Sequence, residues 1–74
     1  NQNMIGKTVN VICEDYDPVS ESYYGRGEAD APEIDGKIFF KSDIKTAPGT
    51  FVKVKIRKVV DYDLFGYAVN SSNA

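Results

Sequence analysis

Apolar residues recur at every second position over most of this chain. Val9, Val11 and Cys13 alternate with Thr8, Asn10 and Ile12, and Val52, Val54 and Ile56 alternate with Lys53, Lys55 and Arg57. Successive side chains of a strand point to opposite faces, so this period of two predicts strands with one face in a core. The first strand ends at Asp17-Pro18, because proline fixes φ and lacks the N–H a central strand needs. A second strand is predicted from about Ser20 to Ala31, with a bend or bulge at its Tyr23 to Gly27 centre, where glycines signal curvature or close backbone approach. A third, Ile38 to Lys41, sets Phe39 and Phe40 on opposite faces, so one fills the core and the other sits under a loop or at a partner surface. The polar connection Ser42 to Pro48 closes in Pro48-Gly49, which fits the centre of a type II turn. The fourth strand slips phase at Lys58, Val59 and Val60, where a bulge or strand end is expected, and a fifth runs from Tyr62 to Val69.

Asp35-Gly36 lies between two of these runs and is a strong hairpin signal, since tight turns of this kind need positive φ. It predicts that Tyr23 to Ile34 pairs antiparallel with Lys37 to Lys41. Five short strands without helical periodicity in 74 residues predict an all-β fold, a small five-stranded antiparallel barrel of OB-like type that removes its edges by closing.

Size allows one domain over 1–74, with an ordered core at about 5–70. A chain this short buries only about 60% of its unfolded surface and has modest stability. It starts at Asn1 and ends in the polar run NSSNA, as expected of a piece excised from a longer protein. It shows neither an apolar run of about 18 residues nor a basic-then-apolar leader. With one cysteine, Cys13, and no histidine, an internal disulfide and the usual zinc or iron ligand sets are excluded, in keeping with a reducing, cytoplasmic setting. Cys13, in phase with Val9 and Val11, reads as a small buried apolar residue. The missing histidine also removes the usual base for a nucleophile, so the fragment alone is not an enzyme, and no catalytic, cofactor-binding or metal residues are assigned.

Net charge is −2, but its distribution is uneven. Residues 14–35 hold Glu14, Asp15, Asp17, Glu21, Glu28, Asp30, Glu33 and Asp35 against Arg26 alone, and residues 36–60 hold seven cations against Asp43 alone. Glu28, Asp30, Glu33 and Asp35 read either as a solubilising surface or as a docking face for a basic protein, since complementary charge speeds encounter and excludes wrong partners such as nucleic acid. Arg26 reads as an intramolecular pair with Glu28, Asp30 or an acid of a neighbouring strand, or as a bidentate contact to a partner. The stripe Lys53, Lys55 and Arg57, with Lys58 beside it, is either ordinary strand-edge protection or a track for an RNA backbone, with nearby aromatics stacking on bases. Asp61 and Asp63 read as acceptors for turn N–H groups, Leu64 as core and Gly66 as a point of close packing.

The stretch GRGEADAPEIDG (Gly25 to Gly36), the later Pro-Gly turn, the Lys-Val alternation and YDLFG (Tyr62 to Gly66) together resemble the C-terminal TRAM domain of the radical SAM methylthiotransferase family, in its RimO branch. The likeness covers roughly Ile5 to Asn70. It implies a barrel of the same architecture and a parent enzyme that carries a pair of 4Fe–4S clusters, uses S-adenosylmethionine and methylthiolates an aspartate of a small-subunit ribosomal protein, every cluster ligand lying upstream of this segment. This domain is then expected to hold that basic protein near the parent's catalytic domain through Arg26, Glu28, Asp30, Glu33, Asp35 and Phe39. The alternative is an RNA-binding barrel, as in tRNA-modifying relatives, using Lys53, Lys55 and Arg57.

Overall fold

The computed structural model describes residues 4–27 and 36–69. They form five strands: β1 (Thr8–Asp17), β2 (Ser22–Gly27), β3 (Ile38–Lys41), β4 (Phe51–Val60) and β5 (Asp63–Ala68). The strands close into a barrel in the order β1-β2-β3-β5-β4. All neighbours run antiparallel except β3 and β5, which are parallel. The all-antiparallel expectation is corrected there. The connection after β3 carries the chain across to β4, which pairs with β1, and the β4–β5 hairpin then folds β5 into the remaining gap, alongside β3 in the same direction.

The alternating pattern decides which residues face in. Val11, Cys13, Ile38, Phe40, Val54, Ile56 and Leu64 are buried, and Val9, Tyr23, Val52 and Val59 pack on them. Phe40 is fully enclosed, so it is the core member of the Phe39-Phe40 pair. Fully burying such a side chain is worth about 1.5–3 kcal/mol. Met4 joins the core as well, because the N-terminal turn folds across one end of the barrel: Lys7 N donates to the Met4 carbonyl at 3.0 Å and Gly6 N to the Ile56 carbonyl at 2.7 Å.

Two bulges tighten the barrel. One falls between Ile56 and Lys58, as the phase slip predicts; the extra residue, Arg57, lets Val59 return to the inner face. The other falls on β1 between Cys13 and Asp15, opposite the glycine-rich segment and not within it. Gly25 serves close approach instead: a Cβ there would be driven into the Ile12 carbonyl. Gly66 is the equivalent point across the barrel, where a Cβ would meet the Lys55 carbonyl. The type II turn forms as expected, with Gly49 at φ +90° and Thr50 N donating to the Ala47 carbonyl at 3.2 Å.

β2 is described as far as Gly27, and residues 28–35, which hold the expected continuation to Ala31 and Asp35 of the expected tight turn, lie outside the described residues. The register nonetheless corrects the hairpin. A two-residue turn at 35–36 in unbroken register sets Tyr24 opposite position 47, whereas Phe39 lies opposite Tyr24 and Gly25 pairs with Ile38. The two strands do pair antiparallel, but in a register not centred on Asp35-Gly36, so the local Asp-Gly signal is overridden by where the core places Ile38 and Phe40. Asp63 is also used differently from the expected turn acceptor. Its Oδ1 accepts from Lys37 N at 2.9 Å, which fixes the entry to β3 against β5.

Candidate functional site

The residues opposite the core in phase build one outward face across β2, β3, β5 and β4. Tyr24 pairs in register with Phe39, Phe39 with Phe65, and Phe65 with Lys58. Their rings form a row: Tyr24 and Phe39 have centroids 6.0 Å apart, and Phe39 and Phe65 are stacked at 5.0 Å with planes 10° apart. A cation sits at each end, Lys37 Nζ 4.7 Å from the Tyr24 centroid and Lys58 Nζ 6.0 Å from that of Phe65. In the adjacent row Lys41 and Lys55 flank Tyr67, and the Arg57 guanidinium carbon lies 5.4 Å from the Tyr67 centroid. Aromatic faces carry negative potential at their centres, so each lysine or arginine is held over its ring while its charge stays in water.

Of the residues proposed from sequence, Phe39 stands at the middle of this row, half-buried between its neighbours. Lys53, Lys55 and Arg57 share the outer face of β4 as their alternation predicts; Lys53 Nζ donates to Asn10 Oδ1 at 3.2 Å. Arg26 points outward and pairs with Glu14 of β1, Nε to Oε2 at 3.1 Å. The Arg26 side chain is 75% exposed and that of Glu14 39%, so this solvent-screened pair adds little stability. Glu28, Asp30, Glu33 and Asp35 lie outside the described residues.

Four of the described carboxylates gather elsewhere. Past Ile12, where its pairing with β4 ends, β1 continues against β2 alone and forms with it a β1–β2 arm, with Asp15 opposite Tyr24 and Asp17 opposite Ser22. β2 stays paired on its other side with β3 through Tyr23 to Gly25. The arm carries Glu14, Asp15, Asp17 and Glu21. Asp17 closes its tip, accepting from Val19 N at 3.0 Å and from Ser20 Oγ at 3.1 Å, a local bonding pattern that favours the turn. Between this arm and the 42–48 connection opens a cleft of about 920 Å³ with Asp15, Tyr16 and Glu21 on the arm side, Lys41, Asp43 and Lys45 opposite, and Tyr67 at the margin. Tyr23 braces it. Its ring meets Tyr16 edge-on at 4.9 Å and stacks on Phe40 at 5.7 Å, and its hydroxyl accepts from Thr46 N at 3.1 Å.

Sequence reasoning did not find Tyr24, Phe65 and Lys37 as parts of a row. All three lie in antiphase to core residues, which places them outside, but the parallel β3–β5 register that sets Phe39 beside Phe65 has no local signature. Cys13 is enclosed, and burial first, then the nearby Asp15 carboxylate, pushes its thiol pKa up. A buried neutral thiol is a poor nucleophile. The residues present do not fit an iron–sulfur or zinc site: the chain has one cysteine and no histidine, and among the described residues no three potential ligands come together. Among the described residues there is no helix long and apolar enough to cross a membrane.

Comparison with known proteins places this geometry. The TRAM domain family model matches residues 5–69. The chain is 43% identical over 70 residues to the ribosomal protein uS12 methylthiotransferase RimO of Clostridium acetobutylicum, covering 95% of this chain and 15% of that protein. It is 45% identical over 67 residues to the protein of the same name from Desulforamulus reducens, covering 89% of this chain and 15% of the relative. The Trichormus variabilis RimO is 40% identical over 70 residues, covering 95% of this chain and 16% of the relative. The chain thus spans about 15% of the length of the first two of these relatives. The match over nearly all of a closed five-stranded barrel, with the same kind of relative recurring at 40–45% identity, shows that the chain belongs to the TRAM domain family and is similar to the TRAM domain of RimO methylthiotransferases.

Proposed function

We propose that this barrel is the substrate-docking module of a methylthiotransferase that modifies a ribosomal protein, and that it recognises its client through carboxylates. The parent would supply the catalytic domain, the 4Fe–4S clusters and S-adenosylmethionine, act in the cytoplasm and methylthiolate an aspartate of a small-subunit ribosomal protein. The barrel, a single domain of that longer chain, would contribute binding and orientation alone. The observation that carries this reading is the run of four carboxylates without a cation on the β1–β2 arm from Glu14 to Ser22, to which Arg26 is joined through Glu14. A carboxylate-rich segment of this kind steers a cationic partner toward it. Glu28, Asp30, Glu33 and Asp35 extend the carboxylate set in sequence, and Arg26 stands beside them. Titration of the 74-residue chain with ribosomal protein uS12 at low salt tests this. Binding that weakens steeply with salt, and further on reversal of those four acids to lysine, is the expected result; no binding, or binding indifferent to the reversals, refutes it.

A second reading has its own observation. The Lys37, Tyr24, Phe39, Phe65, Lys58 row places stackable rings between cations, with Lys53, Lys55 and Arg57 beside it, an arrangement suited to single-stranded RNA. Base–aromatic stacking is worth about 1–3 kcal/mol per base. If RNA is the partner, Phe39→Ala and neutralisation of Lys53, Lys55 and Arg57 each weaken binding of a ribosomal or transfer RNA fragment, and protein titrations stay flat.

A further inference from the structure

Resting on the docking reading above, we propose that the cleft between the β1–β2 arm and the 42–48 connection takes an extended segment of the client polypeptide, laid across the Tyr16 and Tyr67 rings with a lysine or arginine turned to Asp15 and Glu21. Three features of the cleft carry this assignment.

Its walls are fixed before any partner arrives. Gly49 N donates to the Cys13 carbonyl at 2.7 Å and Cys13 N to the Thr50 carbonyl at 2.9 Å, which ties the connection to β1. Thr46 N to Tyr23 Oη at 3.1 Å ties it to β2. A preformed groove spares the ordering entropy that weakens association.

Its aromatic surface is exposed yet rigid. Tyr16 and Tyr67 remain 45% and 38% exposed, and Tyr16 is backed through Tyr23 by the buried Phe40. Tyrosines held this way offer contact area at small entropic cost. Grooves lined by aromatic rings suit extended segments, which present flat side-chain or proline surfaces without folding on contact.

Its charge is polarised across its width. The arm wall presents Asp15 and Glu21, and the facing wall presents Lys41 and Lys45 with Asp43 between them in sequence. Lys41 Nζ reaches the Glu21 carbonyl at 3.4 Å, leaving the Glu21 carboxylate exposed. A client cation is therefore attracted to the arm and repelled by the lysines opposite, which sets the side from which the segment enters. A polynucleotide would place phosphates against the same carboxylates and is disfavoured here.

Heteronuclear NMR of the 74-residue chain tests the proposal with three probes: a short peptide alternating arginine and proline, the same peptide with glutamate in place of arginine, and intact uS12. The arginine peptide and uS12 should shift the amides of Tyr16, Glu21, Thr46 and Tyr67, and the glutamate peptide should not. Tyr16→Ala and Glu21→Asn, the latter chosen because asparagine tolerates the positive φ at that position, should each weaken both interactions about five- to tenfold with the spectrum otherwise unchanged. Phe39→Ala, outside the residues that line the cleft, should leave them intact. If uS12 binds with shifts elsewhere and is indifferent to the cleft variants, the cleft assignment is overturned and docking survives. If the arginine peptide fills the cleft and uS12 does not bind, the cleft's preference is supported and the docking reading falls. Equal binding of the glutamate peptide overturns the proposal.

Discussion

Phe39 and Phe40 are consecutive and chemically identical, so truncating each to alanine isolates the effect of the face on which it lies. Phe40 has no exposed surface and stacks on Tyr23. Phe→Ala at such a site costs about 3–5 kcal/mol, counting lost transfer energy and the cavity left behind. A domain of this size holds only about 4–11 kcal/mol in total, at roughly 0.05–0.15 kcal/mol per residue. Phe40→Ala should therefore remove between about a quarter and all of the barrel's stability. Phe39 is only partly exposed and loses two ring neighbours, at 6.0 and 5.0 Å, each aromatic pair being worth about 0.5–1.5 kcal/mol. Phe39→Ala should thus cost about 1–3 kcal/mol, and with a urea m-value near 1 kcal/mol/M for so small a protein the midpoint should fall by about 1–3 M. Urea titration followed by tyrosine fluorescence and far-ultraviolet circular dichroism, with coincident transitions required, reads both numbers. Equal losses at the two positions would refute the assignment of faces, and with it the aromatic row. The outcome also has a practical use, because a folded Phe39→Ala chain is the clean variant for binding experiments.

Three further outcomes follow from particular contacts. Gly66→Ala and Gly49→Ala should both destabilise, for different reasons: the first drives a Cβ into the Lys55 carbonyl and should cost about 1–3 kcal/mol as overpacking does, whereas the second meets open space and suffers only from its positive φ, so Gly49→Asn should recover much of the loss and Gly66→Asn none, as thermal melts would show. Asp61 has φ 54° at the β4–β5 turn, so Asp61→Gly should be neutral or stabilising by up to about 1 kcal/mol, and a lowered melting temperature would contradict that. The folded chain holds the Cys13 proton more tightly than the unfolded chain does, so this group's contribution is fully present below the unfolded thiol value and is lost as pH climbs through the raised folded one; alkylation of Cys13 should be slow in the native chain and fast in urea, and rapid native alkylation would place the thiol at the surface.

What the sequence determined by itself is what a period of two can encode. The alternations around Val11 and Val54, the Asp17-Pro18 stop, the Pro48-Gly49 turn and the phase slip after Ile56 are local, and each reports a backbone conformation or a face that neighbours along the chain decide. They sufficed for five strands, for the inward set and for the outward cations of β4. Burial of Cys13 and Leu64 followed from the same phase. The likeness to the TRAM domain was legible too, because it rests on residue order.

Tertiary structure decided whatever depends on which strand lies beside which. The parallel β3–β5 pair, the bulge on β1 opposite Gly25, the Glu14 partner of Arg26 and the bond from Lys37 to Asp63 join residues far apart in the chain or on different strands, and no local pattern specifies them. Register is set when the core residues of all five strands must share one interior, so Ile38 and Phe40 overrode the pairing that Asp35-Gly36 suggests. The aromatic row and the polarised cleft are consequences of that register. Their residues are ordinary outward positions taken singly, and only barrel closure brings Phe39 against Phe65 and Tyr16 across from Lys45, because a closed sheet has a single way to seat its inward side chains at once.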